Sequence, residues 1–393
     1  IDPDMREFVT NVTLIVVSTT LPLLICEVGY RIWSGVPILG AVKRSPQSEA
    51  TQTIGCGNRF DPELGWKPEP LRTGVNDSGG KVSILESGIR SNGQPNPTAD
   101  SVVLAIGDSL TFGDQVGDHQ SWPAALERHL GLPVLNGGVC GYGIGQSVRR
   151  AEILVDKFRP GILILGMIPT DIDRTRASRF YGRPKPYFVL ENGQLVYEHN
   201  HLADSLIGTA ARSNEDQTQP SLTRTFADAL NRHRLLWASV PNVPHMIEKV
   251  QQRVALMRGT AHTYVSPNGV ELSCRLFSRV KSLEQAFDLK AYLLVQYKFR
   301  DILNRIDLEN NRAQPTDGVD IEIVANTIAL ISCADEIGLH VVDTFPPLRD
   351  IYLAGGRAQL SVLYQDHMSP KGNQLIGQIL ANHVNSLSQP ASQ

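Results

Sequence analysis

From residue 101 onward, outside 175–290, the chain alternates between short apolar runs and longer amphipathic stretches. SVVLAIG (101–107) is an uninterrupted apolar run, as expected of a strand covered on both faces. SWPAALERHLG then places Trp122, Leu126 and Leu130 at helical spacing, and Gly131 ends the helix. PVLNGG opens a second strand and SVRRAEILVDKF a second helix. PGILILG (160–166), AYLLVQY (291–297) and LHVVDTF (339–345) supply three more strands. Helical patterns over 321–338 and in GNQLIGQILANHV flank the last of these. Strands alternating with helices predict an α/β fold, a three-layer sandwich around a mostly parallel five-stranded sheet. This domain is expected to span 101–388.

Two regions depart from the alternation. Residues 175–290 read as an insertion, with a hairpin in PKPYFVLENGQLVYE turning at Asn192-Gly193. FADALNRHRLLW and HMIEKVQQRVALM within it are predicted as helices able to cover a site. Residues 34–100 are rich in Gly, Pro, Ser and Asn and read as a linker with an irregular extension packed on the domain. Ahead of it, Phe8 to Cys26 holds 19 residues without a charge, close to the ~20 needed to span a bilayer. Glu27-Val-Gly-Tyr-Arg-Ile-Trp follows, with aromatic residues suited to the interface. Residues 1–33 are therefore expected to form an uncleaved transmembrane anchor, with 1–4 before Met5 a fusion remnant.

Composition narrows the partners. The 37 basic and 40 acidic residues nearly balance, which argues against a nucleic-acid footprint. The five cysteines, at 26, 56, 140, 274 and 333, lack CxxC or zinc-ligand spacing. Isolated thiols, or at most one or two bridges, are expected, with Cys140 a small buried thiol and no metal. His199-Asn-His201 reads as an exposed loop.

In open parallel sheets, sites form beyond the carboxyl ends of the strands. Ser109 follows the first strand, Asn136–Gly141 the second and Thr170-Asp171 the third. His367 follows the fifth, just before Ser369-Pro370, an N-cap and N1 pair that starts the last helix. A serine hydroxyl becomes a nucleophile when a base takes its proton, and His367 is the best placed of the ten histidines. Asp108 is expected to hydrogen-bond within the serine's own turn.

GDSLTFG (107–113), NGGVCGYG (136–143), LGMIPTDIDR (165–174) and DHMSPKGN (366–373), in this order, resemble the four blocks of the SGNH (GDSL) hydrolase superfamily of serine esterases and acyltransferases. DPELGW, SGIRSNG and KPYFVLENG have counterparts in its bacterial membrane-anchored members. The resemblance implies a flavodoxin-like fold, no cofactor, Ser109 as nucleophile and His367 as base. It also implies an oxyanion hole from the N–H groups of Ser109 and Gly141 and a third-block side chain. That third donor is usually Asn; here it is Thr170, a shorter hydroxyl donor, and Asp171 beside it is expected to contact substrate. The family acid usually lies two or three residues before the histidine, where this chain has Gln365 and Tyr364. Asp366 is the first choice instead, with Asp343 or a backbone carbonyl as alternatives.

The expected function is hydrolysis of acyl esters, favouring O-acetyl groups on a cell-surface or exported glycan, by a tethered enzyme facing the periplasm or exterior. An O-acyltransferase using the same serine and a catalytically weak glycan-binding protein are the alternatives.

Overall fold

A computed structural model describes Cys56 and residues 59–94, 102–180, 183–199, 269–310 and 321–388. All of these fall in one compact unit, Gln52–Gln393. The anchor expected over Phe8–Cys26 lies outside the described residues, as do the two helices expected in the insertion. Among the described residues, no helix is long and apolar enough to cross a membrane.

The central sheet contains five parallel strands: β1 (Val103–Ile106), β2 (Val134–Asn136), β3 (Ile162–Met167), β4 (Lys290–Val295) and β5 (His340–Asp343), in the order 5-4-3-1-2. Every residue of β1 is buried, because helices cover both faces of the sheet and leave no side of the strand in water. The helices are α1 (Ser109–Phe112), α2 (Trp122–Leu130), α3 (Ile144–Phe158), α4 (Asp171–Arg176), α5 (Gly269–Phe287), α6 (Phe299–Glu309), α7 (Ile321–Ile337), α8 (Phe345–Ser361) and α9 (Pro370–Ser388). Parallel crossovers are right-handed. The chain moves one way from β1 to β2 and the other way through β3, β4 and β5, so α2 lies on one face and α3, α5 and α7 on the other. The helix contacts agree: α9 packs on α2, while α5 packs on both α3 and α7.

The N-terminal extension is more ordered than its composition suggests. It forms two short antiparallel hairpins, Arg59–Asp61 with Gly65–Lys67 and Thr73–Val75 with Lys81–Ser83. Three-residue strands are too short to show a period in sequence. Trp66, Val82, Ile84 and Arg90 from this region are buried. Arg90 also bridges to Asn136, shielding the edge strand β2. The hairpin turning at Asn192-Gly193 is present, pairing Tyr187–Glu191 with Gln194–Glu198.

Two disulfides, Cys56–Cys140 and Cys274–Cys333, join distant segments. Both lie within the expectation of one or two bridges. Cys140, however, is bridged rather than a free buried thiol; no spacing rule could pair it with a cysteine 84 residues away.

Candidate active site

The strand order reverses around β1, which has β2 on one side and β3 on the other. That reversal opens a crevice at the strands' carboxyl ends. Ser109 sits there, as the first residue of α1. Its turn is held by Asp108, whose carboxylate caps the helix by accepting from the Leu110 N–H at 2.9 Å. Gly113, in the left-handed region at φ 82°, ends the helix after four residues. Gly107 admits no side chain, since a Cβ there would lie 2.3 Å from Thr111 Oγ1 and 2.6 Å from the Gly166 carbonyl oxygen. The apolar run and its Gly-Asp-Ser break therefore present Ser109 and its cap in one bend.

His367 comes to the same point from the other end of the chain. Its Nε2 lies 3.0 Å from Ser109 Oγ, across 258 residues of sequence. The other nitrogen, Nδ1, is 3.6 Å from Asp366 Oδ2, at ion-pair range, and has no hydrogen-bond partner among the described residues. The backbone bends enough for these neighbours to face each other: the Gln365 N–H donates to the His367 carbonyl, and Tyr364 bridges to Met368. Asp366 is largely in water, with 83% of its side chain exposed, which weakens the pairing. Burial pulls the His367 pKa down, but Asp366, Asp114 and Asp108 together raise it above its ordinary value. The Asp366 carboxyl is held low by its contact with His367. Asp343 does not take part in this pairing. It lies at the end of β5, bound to Arg305 at 3.1 Å and to the Phe345 N–H at 2.9 Å.

The expected oxyanion donors occupy the adjoining loops. Among the described residues the backbone N–H groups of Ser109 and Gly141 have no acceptor, which leaves both available to a developing oxyanion. Gly141 has φ 78°, and a Cβ there would meet the Phe180 ring at 2.6 Å. Only glycine fits both constraints. Thr170 immediately precedes α4, and its hydroxyl is enclosed without a hydrogen-bond partner among the described residues. A buried, unpaired donor costs on the order of 1–3 kcal/mol.

Asp171 departs from its expected contact with substrate. The residue is 2% exposed, and its carboxylate accepts from the Ile168 N–H at 3.0 Å and from Arg174 at 2.8 Å. It is closed off from the crevice because α4 folds it inward. Arg174 also reaches Asp108 Oδ2 at 3.2 Å and the Tyr142 carbonyl at 3.3 Å. One guanidinium thus ties the nucleophile's cap to the second and third loops. Burial, with the Asp108 carboxylate alongside, pushes the Asp171 pKa up to about 8.

Arg174 and the Cys56–Cys140 bridge were not singled out from the sequence. The i,i+3 spacing of Asp171 and Arg174 on a short helix was the one available signal for the first. The bridge places a covalent tie directly beside Gly141, and Trp66 Nε1 donates to the Cys140 carbonyl at 2.9 Å. His199 stacks on Tyr197; Asn200 and His201 lie outside the described residues.

No family model matches the chain. An arylesterase from Vibrio mimicus is 31% identical over 78 residues, 19% of this chain and 39% of that protein's length. Among solved structures, a putative lipolytic protein of the G-D-S-L family from Desulfitobacterium hafniense is 15% identical, covering 72% of this chain and 99% of its own, with a TM-score of 0.34. A psychrotrophic esterase from Pseudoalteromonas sp. is 12% identical over 73% of this chain and 98% of its own, with a TM-score of 0.36. An acetylxylan esterase from Geobacillus stearothermophilus, solved as a catalytic mutant, is 10% identical over 73% of this chain and 94% of its own, at 0.35. Four sequence blocks in order, a 5-4-3-1-2 parallel sheet and a serine–histidine contact at its reversal are the features in which this chain resembles the SGNH (GDSL) hydrolases.

Proposed function

We propose that the protein is a serine-dependent acyl-ester hydrolase. The observation that carries this reading is the 3.0 Å contact between His367 Nε2 and Ser109 Oγ, within reach for proton transfer. Ser109 Oγ attacks the ester carbonyl as its proton passes to Nε2. The oxyanion takes hydrogen bonds from the N–H groups of Ser109 and Gly141 and from Thr170. His367 then returns the proton to the departing alkoxide, leaving an acyl-enzyme. Water, deprotonated by the same nitrogen, releases the acid and restores Ser109. Similarity to an arylesterase over 78 residues supports ester chemistry.

The favoured substrate is an O-acetyl group on a cell-surface or exported glycan, handled outside the cytoplasm by a protein tethered through Phe8–Cys26. Two disulfides support an oxidising compartment. Wild-type protein should turn over p-nitrophenyl acetate, and a fluorophosphonate probe should label Ser109 alone by mass spectrometry. Ser109→Ala should abolish both while keeping the fold, since a turn serine contributes only about 1 kcal/mol. Activity surviving that change would overturn the reading. Products from acetylated glycan separate release of acetate from its transfer to a sugar hydroxyl.

A weakly catalytic, glycan-binding protein is the second reading. It is favoured by the threonine at the third oxyanion position and by the exposure of Asp366.

A further inference from the structure

We propose that Gln115 is a positioning residue for His367, its carboxamide splinting the base-bearing loop to the segment that carries Ser109. This rests on the serine-hydrolase reading of the site. Gln115 Oε1 accepts the backbone N–H of His367 at 2.9 Å, and Gln115 Nε2 approaches Asp366 Oδ2 at 3.4 Å. One side chain therefore grips both members of the base–acid pair from across 252 and 251 residues of sequence.

Asp366 and His367 are consecutive, and consecutive side chains on extended backbone point apart. Their facing geometry exists only while the loop stays bent. The 2.9 Å bond holds the backbone at the bend, and the longer contact restrains an otherwise exposed carboxylate beside Nδ1. Without that restraint, an exposed side chain would spend its rotamer freedom in water.

The splint is itself rigid. The Asp114 N–H donates to the Ser109 carbonyl at 3.2 Å, and the Val116 N–H to that of Gly113 at 3.2 Å. The buried Arg90 guanidinium donates to the Phe112, Gly113 and Val116 carbonyls on both sides of Gln115. The distance from nucleophile to base is thus set by a short chain of fixed groups, Ser109 through Gln115 to His367. A surface glutamine with no role beyond loop closure would need only one of its two contacts.

The test combines kinetics with a measurement that does not need turnover. Gln115→Ala should lower kcat on p-nitrophenyl acetate about 10-fold with KM changed less than about 2-fold, since binding is untouched while the base is misplaced. The charged groups facing His367 are Asp108, Asp114 and Asp366, with Lys298 acting on Asp366. Loosening Asp366 should move the His367 ring titration, followed by NMR, to lower pH. Gln115→Glu keeps the acceptor for the His367 N–H and should retain more of kcat than the alanine variant. In an Asp366→Asn background, Gln115→Ala should cost less than it does alone, because the two act through one contact.

An unchanged kcat and an unchanged His367 titration in Gln115→Ala would overturn the proposal. So would a loss of activity that tracks a loss of melting temperature with the titration in place. If Gln115→Ala does not fold, Gln115→Met, which fills the same space without an amide, decides: a kcat and a His367 titration like those of wild type would overturn the proposal. Wild-type protein that neither turns over esters nor labels at Ser109 would sink the hydrolase reading, while the NMR titration would still report on the splint.

Discussion

At the scale of single residues, the site turns on which carboxylate serves His367. Among the described residues, Asp366 is the only one at ion-pair distance from Nδ1, whereas Asp343 is bound to Arg305 and the start of α8. Asp366→Asn should lower kcat/KM at least about 10-fold, short of the ~10⁴ seen when a fully buried triad acid is replaced. The base works only when unprotonated, so activity should rise with pH through the His367 pKa, which, against burial, the neighbouring carboxylates raise above its ordinary value. Removing the Asp366 charge should move that limb to lower pH. Asp343→Asn should leave kcat/KM unchanged and lower the unfolding midpoint instead. Steady-state pH profiles of the two variants check this ranking. Thr170 belongs to the same scale. Thr170→Val should cost up to about 100-fold in kcat if its orphan hydroxyl meets the oxyanion, and Thr170→Asn should match or exceed wild type on activated esters.

Ser109 was legible because it stands at a strand-to-helix boundary marked by the Gly-Asp-Ser break, and His367 because it stands just before the Ser-Pro start of α9. Asp366 was legible only by elimination, since nothing in a linear pattern reports a backbone bend. Asp171 misled for a related reason. Adjacency to Thr170 says nothing about which way a side chain turns once α4 begins.

At the scale of elements, the nucleophile turn depends on a partner from the N-terminal extension. Arg90 is fully buried, and it donates to three carbonyls around the end of α1 as well as pairing with Asp118 at 3.4 Å. Burial drags its pKa down to about 10, so it remains charged at neutral pH. Arg90→Met would strand a buried carboxylate and three carbonyl oxygens. It should destabilise the protein by about 3–5 kcal/mol, read as a shift in the urea midpoint. The five strands were readable as short apolar runs, and most crossover helices by their helical spacing. The two short hairpins and α5, whose start borders residues of no clear pattern, were not. Their place is decided by packing against β1–β5 rather than by local preference.

At the scale of the whole molecule, long-range covalent ties supplement the core. Cys274–Cys333 joins α5 to α7 across 59 residues, the two helices that flank β4 on one face. Loop-closure entropy for that span is worth about 4 kcal/mol. Replacing both cysteines with alanine should lower stability by up to that amount without changing kcat, as chemical denaturation alongside ester assays would show. These pairings could not be read beforehand, since five cysteines at irregular spacing permit many partners.

The other bridge has a consequence for timing. Ser109 and His367 meet at the carboxyl end of the sheet, whereas the loop bearing Gly141 is tied down by Cys56–Cys140 at its immediate neighbour. Folding and competence are therefore separable events. Chain refolded under reducing conditions should regain its secondary structure first and its esterase activity later, with the delay set by thiol oxidation and shortened by a disulfide isomerase. Ester turnover by reduced protein that matches the oxidised rate would show that the Cys56–Cys140 tie does not set the Gly141 loop.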